Sequence, residues 1–214
     1  MLPEPPLLEI AGKPLLSWHL EKLANAGVRR VMTSLPDPTG EISRLLGDGR
    51  RFGLRIEPLD AAGEPVTGPQ AIVAALAQRR GEPVAAISAD LWTHYDFARL
   101  PRRPRASAHL VLVDNTALHP HGDLALLADG QVREGHGMKL TFSGIGVYAP
   151  HLLEAHARPA DSPSARHRTA LTDVLALLGW AMARGEVHGE HYTGPWTHLT
   201  SPDRLWELDG VVEL

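Results

Sequence analysis

"PVAAISADLWTHYDF", residues 83–97, is the stretch on which the fold turns. Small and β-branched apolar residues run from Val84 to Ile87, Ser88 and Ala89 then lead to a lone acid, Asp90, and "VAAISA", from Val84 to Ala89, predicts a strand. A short continuous apolar run is the pattern of a strand buried in a parallel sheet. A carboxylate just behind such a strand has two readings. It caps a turn or helix, or it faces a ligand beyond the carboxyl end of the strand.

Outward from this strand, helix and strand patterns alternate. "PLLSWHLEKLANAG", from Pro14 to Gly27, repeats apolar residues at helical spacing, with Pro near its start and Gly at its stop. "VRRVMTS" predicts a strand. "TGEISRLLGDG" predicts a short helix with Thr39 as its cap and Gly47 as its stop, "FGLRIEPL" a strand, and "GPQAIVAALAQRRG" a helix closing at Gly81. The second half adds a strand in "AHLVLVDN", a hairpin turning at Asp129-Gly130, and a strand with a Ser-Gly break in "KLTFSGIGVYAP". A strong helix in "RTALTDVLALLGWAMARG" and a strand-like run in "EVHGEHYTGPWTHLTS" follow. "PDRLWELDGVVEL" predicts a last helix and tail, and "ARPADSPSARHR" an exposed loop. The alternation predicts an α/β fold whose mostly parallel sheet is covered by helices on both faces. No linker is long enough to divide the 214 residues, so one domain over 1–214 is expected.

Bulk properties narrow the function. The net charge is −4, which offers no footprint for nucleic acid. The one basic run, Arg99 to Arg105, is broken by two prolines and reads as a solvated loop. There is no cysteine, which excludes disulfides, thiolate catalysis and cysteine zinc sites. No apolar run reaches membrane-spanning length, and the acidic, proline-rich start is no signal peptide, so a cytoplasmic protein with no membrane partner is expected.

Asp90 leads the candidate chemistry, because Mg²⁺ favours one or two carboxylates together with phosphate oxygens. His119, His121 and Asp123 in "HPHGD" lie in a loop and read as solvated. His188, His191 and His198 could face one another or decorate a surface. No GxGxxG, Walker or HExxH spacing occurs.

Several stretches together carry a resemblance. "IAGKPLLSWHLEKLANAGV", "LGDGRRFGLRI", "ADLWTHYDFARL", "AHLVLVDN", "LTFSGIGVY" and "GEHYTGPW" occur in order over about Ile10 to Leu208, and the chain resembles the sugar-1-phosphate nucleotidyltransferases. The resemblance implies a Rossmann-like fold with a mixed sheet. It also implies a reaction in which a sugar 1-phosphate attacks the α-phosphorus of a nucleoside triphosphate, UTP-like here, and releases pyrophosphate. Asp90 in "SAD" matches a metal-binding aspartate of the family, and His198 in "PWTHLTS" falls where the family has a second one. The implied cofactor is Mg²⁺, or Mn²⁺ if His198 is a ligand, since Mg²⁺ prefers oxygen. Thr67 and Gly68 match the base-binding turn. Ser143 and Gly144 match the strand that touches the sugar, with close packing at a strand bulge as the other reading. Asp114 and Asn115 match a strand end beside the sugar, with a turn role as the other reading.

The chain departs from the family pattern on the nucleotide side. It begins beyond the usual first strand and its glycine-rich loop, Pro5 stands where the family has a phosphate-binding lysine, Pro69 stiffens the base-binding turn, and His198 replaces a carboxylate. These departures leave a second expectation open: a catalytically impaired relative that binds a sugar phosphate or pairs with an active subunit, as a homo- or hetero-oligomer. A third is a metal hydrolase built on the C-terminal histidines.

Overall fold

The structure, a computed structural model, describes residues 5–35, 37, 39–61, 64–117, 119–135, 137–156 and 174–199. The expected last helix and the expected exposed loop after His156 lie outside these. The chain divides into two compact units. The first comprises Met1–Glu57, Ser88–Arg99 and Gly194–Leu214, and the second Pro58–Ile87 and Leu100–Thr193.

The first unit is organised by the helix Leu15–Asn25, the element predicted over Pro14–Gly27. Pro14 precedes it in an extended conformation, and Gly27 bonds back to the Ala24 carbonyl at its stop. Its apolar stripe feeds two clusters. Leu15 packs with Leu8, Ile10, Trp92 and Leu199. Leu16 and Leu20 pack with Ile42, Leu46 and Leu54. Each fully buried leucine contributes about 1.5–3 kcal/mol, so this helix holds the unit together. The short helix Glu41–Leu46 is capped differently from expectation: the Asp37 carboxylate accepts the backbone N–H groups of Ile42 and Ser43 at 3.0 and 2.7 Å. The Thr39 hydroxyl accepts only from the Glu41 N–H, at 3.4 Å. A carboxylate is the stronger acceptor and takes the orphan donors first.

The second unit is built on a six-stranded mixed sheet. Strand Lys139–Tyr148 runs antiparallel to Val84–Ile87 on one side and to Ala108–Val113 on the other, and Val187–Tyr192 lies parallel to Ala108–Val113. Val84–Ile87, Ala108–Val113 and Val187–Tyr192 therefore share one direction, with Lys139–Tyr148 inserted against them. The hairpin Leu124–Leu126 and Val132–Arg133 completes the sheet. It turns through Ala128–Gly130, closed by the Leu127 N–H on the Gln131 carbonyl, with Gly130 at φ 83°. Helices Pro69–Gln78, Leu152–His156 and Val174–Ala183 cover one face through Ile72, Leu76, Leu152, Leu178 and Ala181, which pack on Leu110, Leu112 and Tyr148. The fold is α/β and Rossmann-like with a mixed sheet, as the resemblance implies, but the alternation overstates how parallel it is. Among the described pairings of this sheet only Val187–Tyr192 with Ala108–Val113 is parallel, and the helices described in this unit pack on one face. Among the described residues, no strand pairs with the other edge of Val84–Ile87, and Arg30–Thr33 pairs only with Arg55–Pro58.

The single strand-like run expected from Glu186 to Ser201 is two strands. Val187–Tyr192 belongs to the second unit, and Trp196–His198 pairs antiparallel with Leu91–Thr93 in the first. The break falls at Gly194-Pro195, because proline cannot donate to a ladder. The Pro195 carbonyl instead accepts the His94 N–H and the Thr93 hydroxyl, both at 3.1 Å.

Candidate functional site

In the first unit the sequence places Asp90 three residues beyond Ile87, and the fold adds His198 beside it. The register sets His198 opposite Leu91, and the Leu199 N–H donates to the Asp90 carbonyl at 2.7 Å. The His198 Nδ1 lies 3.8 Å from the Asp90 Oδ2, and both side chains are about one-third exposed. This spacing is shorter than two metal–ligand bonds of about 2.1 Å each, so both groups can reach one ion. The donor set of one carboxylate and one imidazole thus fits a divalent cation that takes its remaining ligands from phosphate and water. Among the described residues, no group of three or more His, Asp and Glu is arranged to hold a metal unaided.

Two further side chains near this pair were not singled out by the sequence. His19, on the buried face of helix Leu15–Asn25, stacks on Phe97 with ring centroids 6.1 Å apart. Neither of its ring nitrogens has a hydrogen-bond partner. Burial pushes its pKa down to about 4. The Leu91 backbone, near but not in bonding geometry, and Asp90 favour the charged form, while Lys22 opposes it. Lys22 donates to the Thr93 carbonyl at 2.8 Å, and burial pushes its ammonium down to about 8 against the pull of Asp96. The only sequence signal for either was a polar residue on an otherwise apolar helical stripe.

In the second unit Thr67 and Gly68 are exposed at the start of helix Pro69–Gln78, whose buried Pro69 occupies the first turn. Gly68 has φ 57°. Asp114 follows the carboxyl end of Ala108–Val113, and its Oδ1 lies 2.9 Å from the His191 Nε2. Asn115 is engaged within the protein: its amide nitrogen donates to the Lys139 and Pro120 carbonyls, and its oxygen accepts the Thr141 hydroxyl. Ser143 is fully buried, donates to the Val111 carbonyl at 2.7 Å and accepts the Ile145 N–H. Gly144, at φ 82°, sits in the register shift between Phe142 and Ile145. The bulge reading of the Ser-Gly pair is therefore the one its hydrogen bonds describe. His119 pairs with Asp123 at 2.9 Å, and Asp123 also accepts the Phe142 N–H.

Comparison with known proteins agrees with the resemblance. The nucleotidyl transferase family profile matches residues 3–123. The chain is 35% identical to the N-acetylmuramate alpha-1-phosphate uridylyltransferase of Neisseria meningitidis serogroup B, over 96% of this chain and 88% of that protein. It is 27% identical to a Streptomyces griseus glucose-1-phosphate thymidylyltransferase, over 96% of this chain but 59% of that one. In fold it is similar to a Bacillus anthracis protein assigned as a glucose-1-phosphate thymidylyltransferase and solved with sucrose. The TM-score is 0.71 at 18% identity, over 96% of this chain and 85% of the other. With a family profile spanning more than half its length and a full-length relative at this identity, the chain belongs to the sugar-1-phosphate nucleotidyltransferase family.

Proposed function

We propose that the protein is a cytoplasmic uridylyltransferase that joins UTP to an N-acetylated sugar 1-phosphate and releases pyrophosphate. The observation that carries this reading is the pairing of Asp90 with His198, 3.8 Å apart, at the two positions where the family pattern places metal-binding aspartates. The sugar class follows the substrate named for the Neisseria relative.

In this reading Asp90 and His198 hold a divalent cation, Mg²⁺ or, with an imidazole in the set, Mn²⁺. When bound, the cation offsets repulsion between the triphosphate and the incoming sugar phosphate. The bond from the Leu199 N–H to the Asp90 carbonyl ties down the backbone that carries the carboxylate before substrate arrives. Thr67 and Gly68 are assigned to the base. Asp114, Asn115, Ser143 and Gly144 are assigned to the sugar end, the last three through the backbone they shape.

The test is pyrophosphate release from UTP with N-acetylmuramate 1-phosphate and with glucose 1-phosphate, in Mg²⁺ and in Mn²⁺. Asp90→Ala abolishes metal-dependent UTP binding while the chain stays folded. Persistence of that binding in the variant sinks the assignment of Asp90. Sugar-phosphate binding without turnover by the parent chain supports instead the non-catalytic reading, which the replacement of a carboxylate by His198 favours.

A further inference from the structure

Strands Ala108–Val113 and Val187–Tyr192 are parallel neighbours in register, Leu112 beside His191 and Val113 beside Tyr192. Asp114 therefore leaves the carboxyl end of one strand next to the end of the other, at the rim where open α/β sheets bind ligands. Its carboxylate meets the His191 ring there, Oδ1 to Nε2 at 2.9 Å, with the side chains 68% and 35% exposed. So exposed a hydrogen-bonded pair adds little to stability, and folding alone gives no reason for it.

The surroundings sharpen the contrast. Asn115 and Thr141 bond to each other, Asn115 holds the Lys139 carbonyl, and Asp123 bridges His119 and the Phe142 N–H. These bonds anchor the loop that follows Asp114. Among the described residues, the second oxygen of Asp114 and the Nδ1 of His191 make no hydrogen bond. A hydrogen-bonded rim with one open polar pair is the arrangement of a preorganised binding group.

The chemistry of the pair selects its partner. In the neutral tautomer that donates Nε2–H to the carboxylate, Nδ1 carries a lone pair, and the free carboxylate oxygen is an acceptor as well. Such an edge takes hydroxyl or amide N–H donors and repels phosphate, which brings only acceptors.

We propose that His191, paired with Asp114, determines which sugar the protein accepts, by accepting hydrogen bonds from the ring substituents of the sugar 1-phosphate. This deepens the proposed function and rests on it.

The experiment compares the full chain with His191→Phe and Asp114→Asn, reading KM for N-acetylmuramate 1-phosphate, KM for glucose 1-phosphate, and KM for UTP. The expected result is a rise of about tenfold in KM for the preferred sugar phosphate in each variant. KM for UTP stays within about twofold, and the preference between the two sugars collapses toward unity. The double variant is no worse than the weaker single one, because the two side chains act as a unit. An unchanged sugar preference in folded Asp114→Asn overturns the proposal. Asp114 is mostly exposed, so that variant folds even if His191→Phe does not. If the parent chain releases no pyrophosphate, the proposed turnover fails, and calorimetric titration of the same two sugar phosphates decides the present point. Binding weakened about tenfold in Asp114→Asn supports it, and equal or undetectable binding in the parent and the variant overturns it.

Discussion

Asp90 and His198 are distant in the chain, and the strand pair Leu91–Thr93 with Trp196–His198 makes them neighbours. In the cation site proposed above, an imidazole at one of two ligand positions is a poor match for Mg²⁺ and a better one for Mn²⁺. His198→Asp is expected to raise Mg²⁺-supported pyrophosphate release at least about tenfold relative to Mn²⁺, since an oxygen ligand is restored. Paired metal-dependence curves of parent and variant check this. His19 offers a test of a different kind. Its two unpartnered nitrogens are buried at a cost, and a phenyl ring fills nearly the same volume while keeping the stack on Phe97. His19→Phe is expected to stabilise the chain by about 1–2 kcal/mol, measured as a shift in the urea midpoint. A loss of stability would contradict the absence of a hydrogen-bond partner for the buried imidazole.

At the scale of elements, periodicity made most helices and strands legible. The helix Leu15–Asn25 and the strand Val84–Ile87 stand within a residue or two of expectation, because an apolar stripe or an unbroken apolar run is a local property. The short strand Leu91–Thr93 was not legible: its residues mix aromatic and polar types, and it exists because Trp196–His198 pairs with it. Glycine marks where strands approach closely. A Cβ on Gly189 would lie 2.6 Å from the Leu110 carbonyl oxygen and 2.9 Å from a Val132 methyl. Gly189→Ala must therefore spread the Ala108–Val113 and Val187–Tyr192 pair, and it is expected to cost about 1–3 kcal/mol, checked by thermal or urea unfolding. The Ser143-Gly144 break was visible in the sequence, yet its meaning was open until the Ser143 hydroxyl was seen bonded to Val111 and Ile145.

For the molecule as a whole, buried ionisable groups set how stability responds to acid. His19 falls from 6.5 to about 4 on folding, chiefly by desolvation. The unfolded chain binds the extra proton between these values, so stability is full above about pH 6.5 and is lost as the pH falls toward 4, by about 3 kcal/mol. His109 is also lowered by burial, against the pull of Glu190, and acts in the same direction. Glu186 joins them. Desolvation raises its pKa, but the hydrogen bonds from Arg184 and Ser107 outweigh it, and a depressed carboxylate likewise loses its stabilisation as the pH falls. Melting temperatures are expected to drop steeply from about pH 6.5 to about pH 4, and less steeply in His19→Phe. A flat profile in the parent would contradict the burial of these groups.

By itself the sequence determined the order of most helices and strands, the apolar strand Val84–Ile87, the acid three residues behind it, and the family to which the chain belongs. These are written in periods of two or fewer than four residues and in short motifs, which neighbouring residues suffice to set. Only the tertiary structure decided that the run from Glu186 to Ser201 serves two sheets, that His198 stands 3.8 Å from Asp90 as the resemblance implied, and that His191 meets Asp114. The reason is that strand pairing joins segments far apart in the chain. Which side chains share a rim depends on register and direction across the sheet, and no local pattern carries that information.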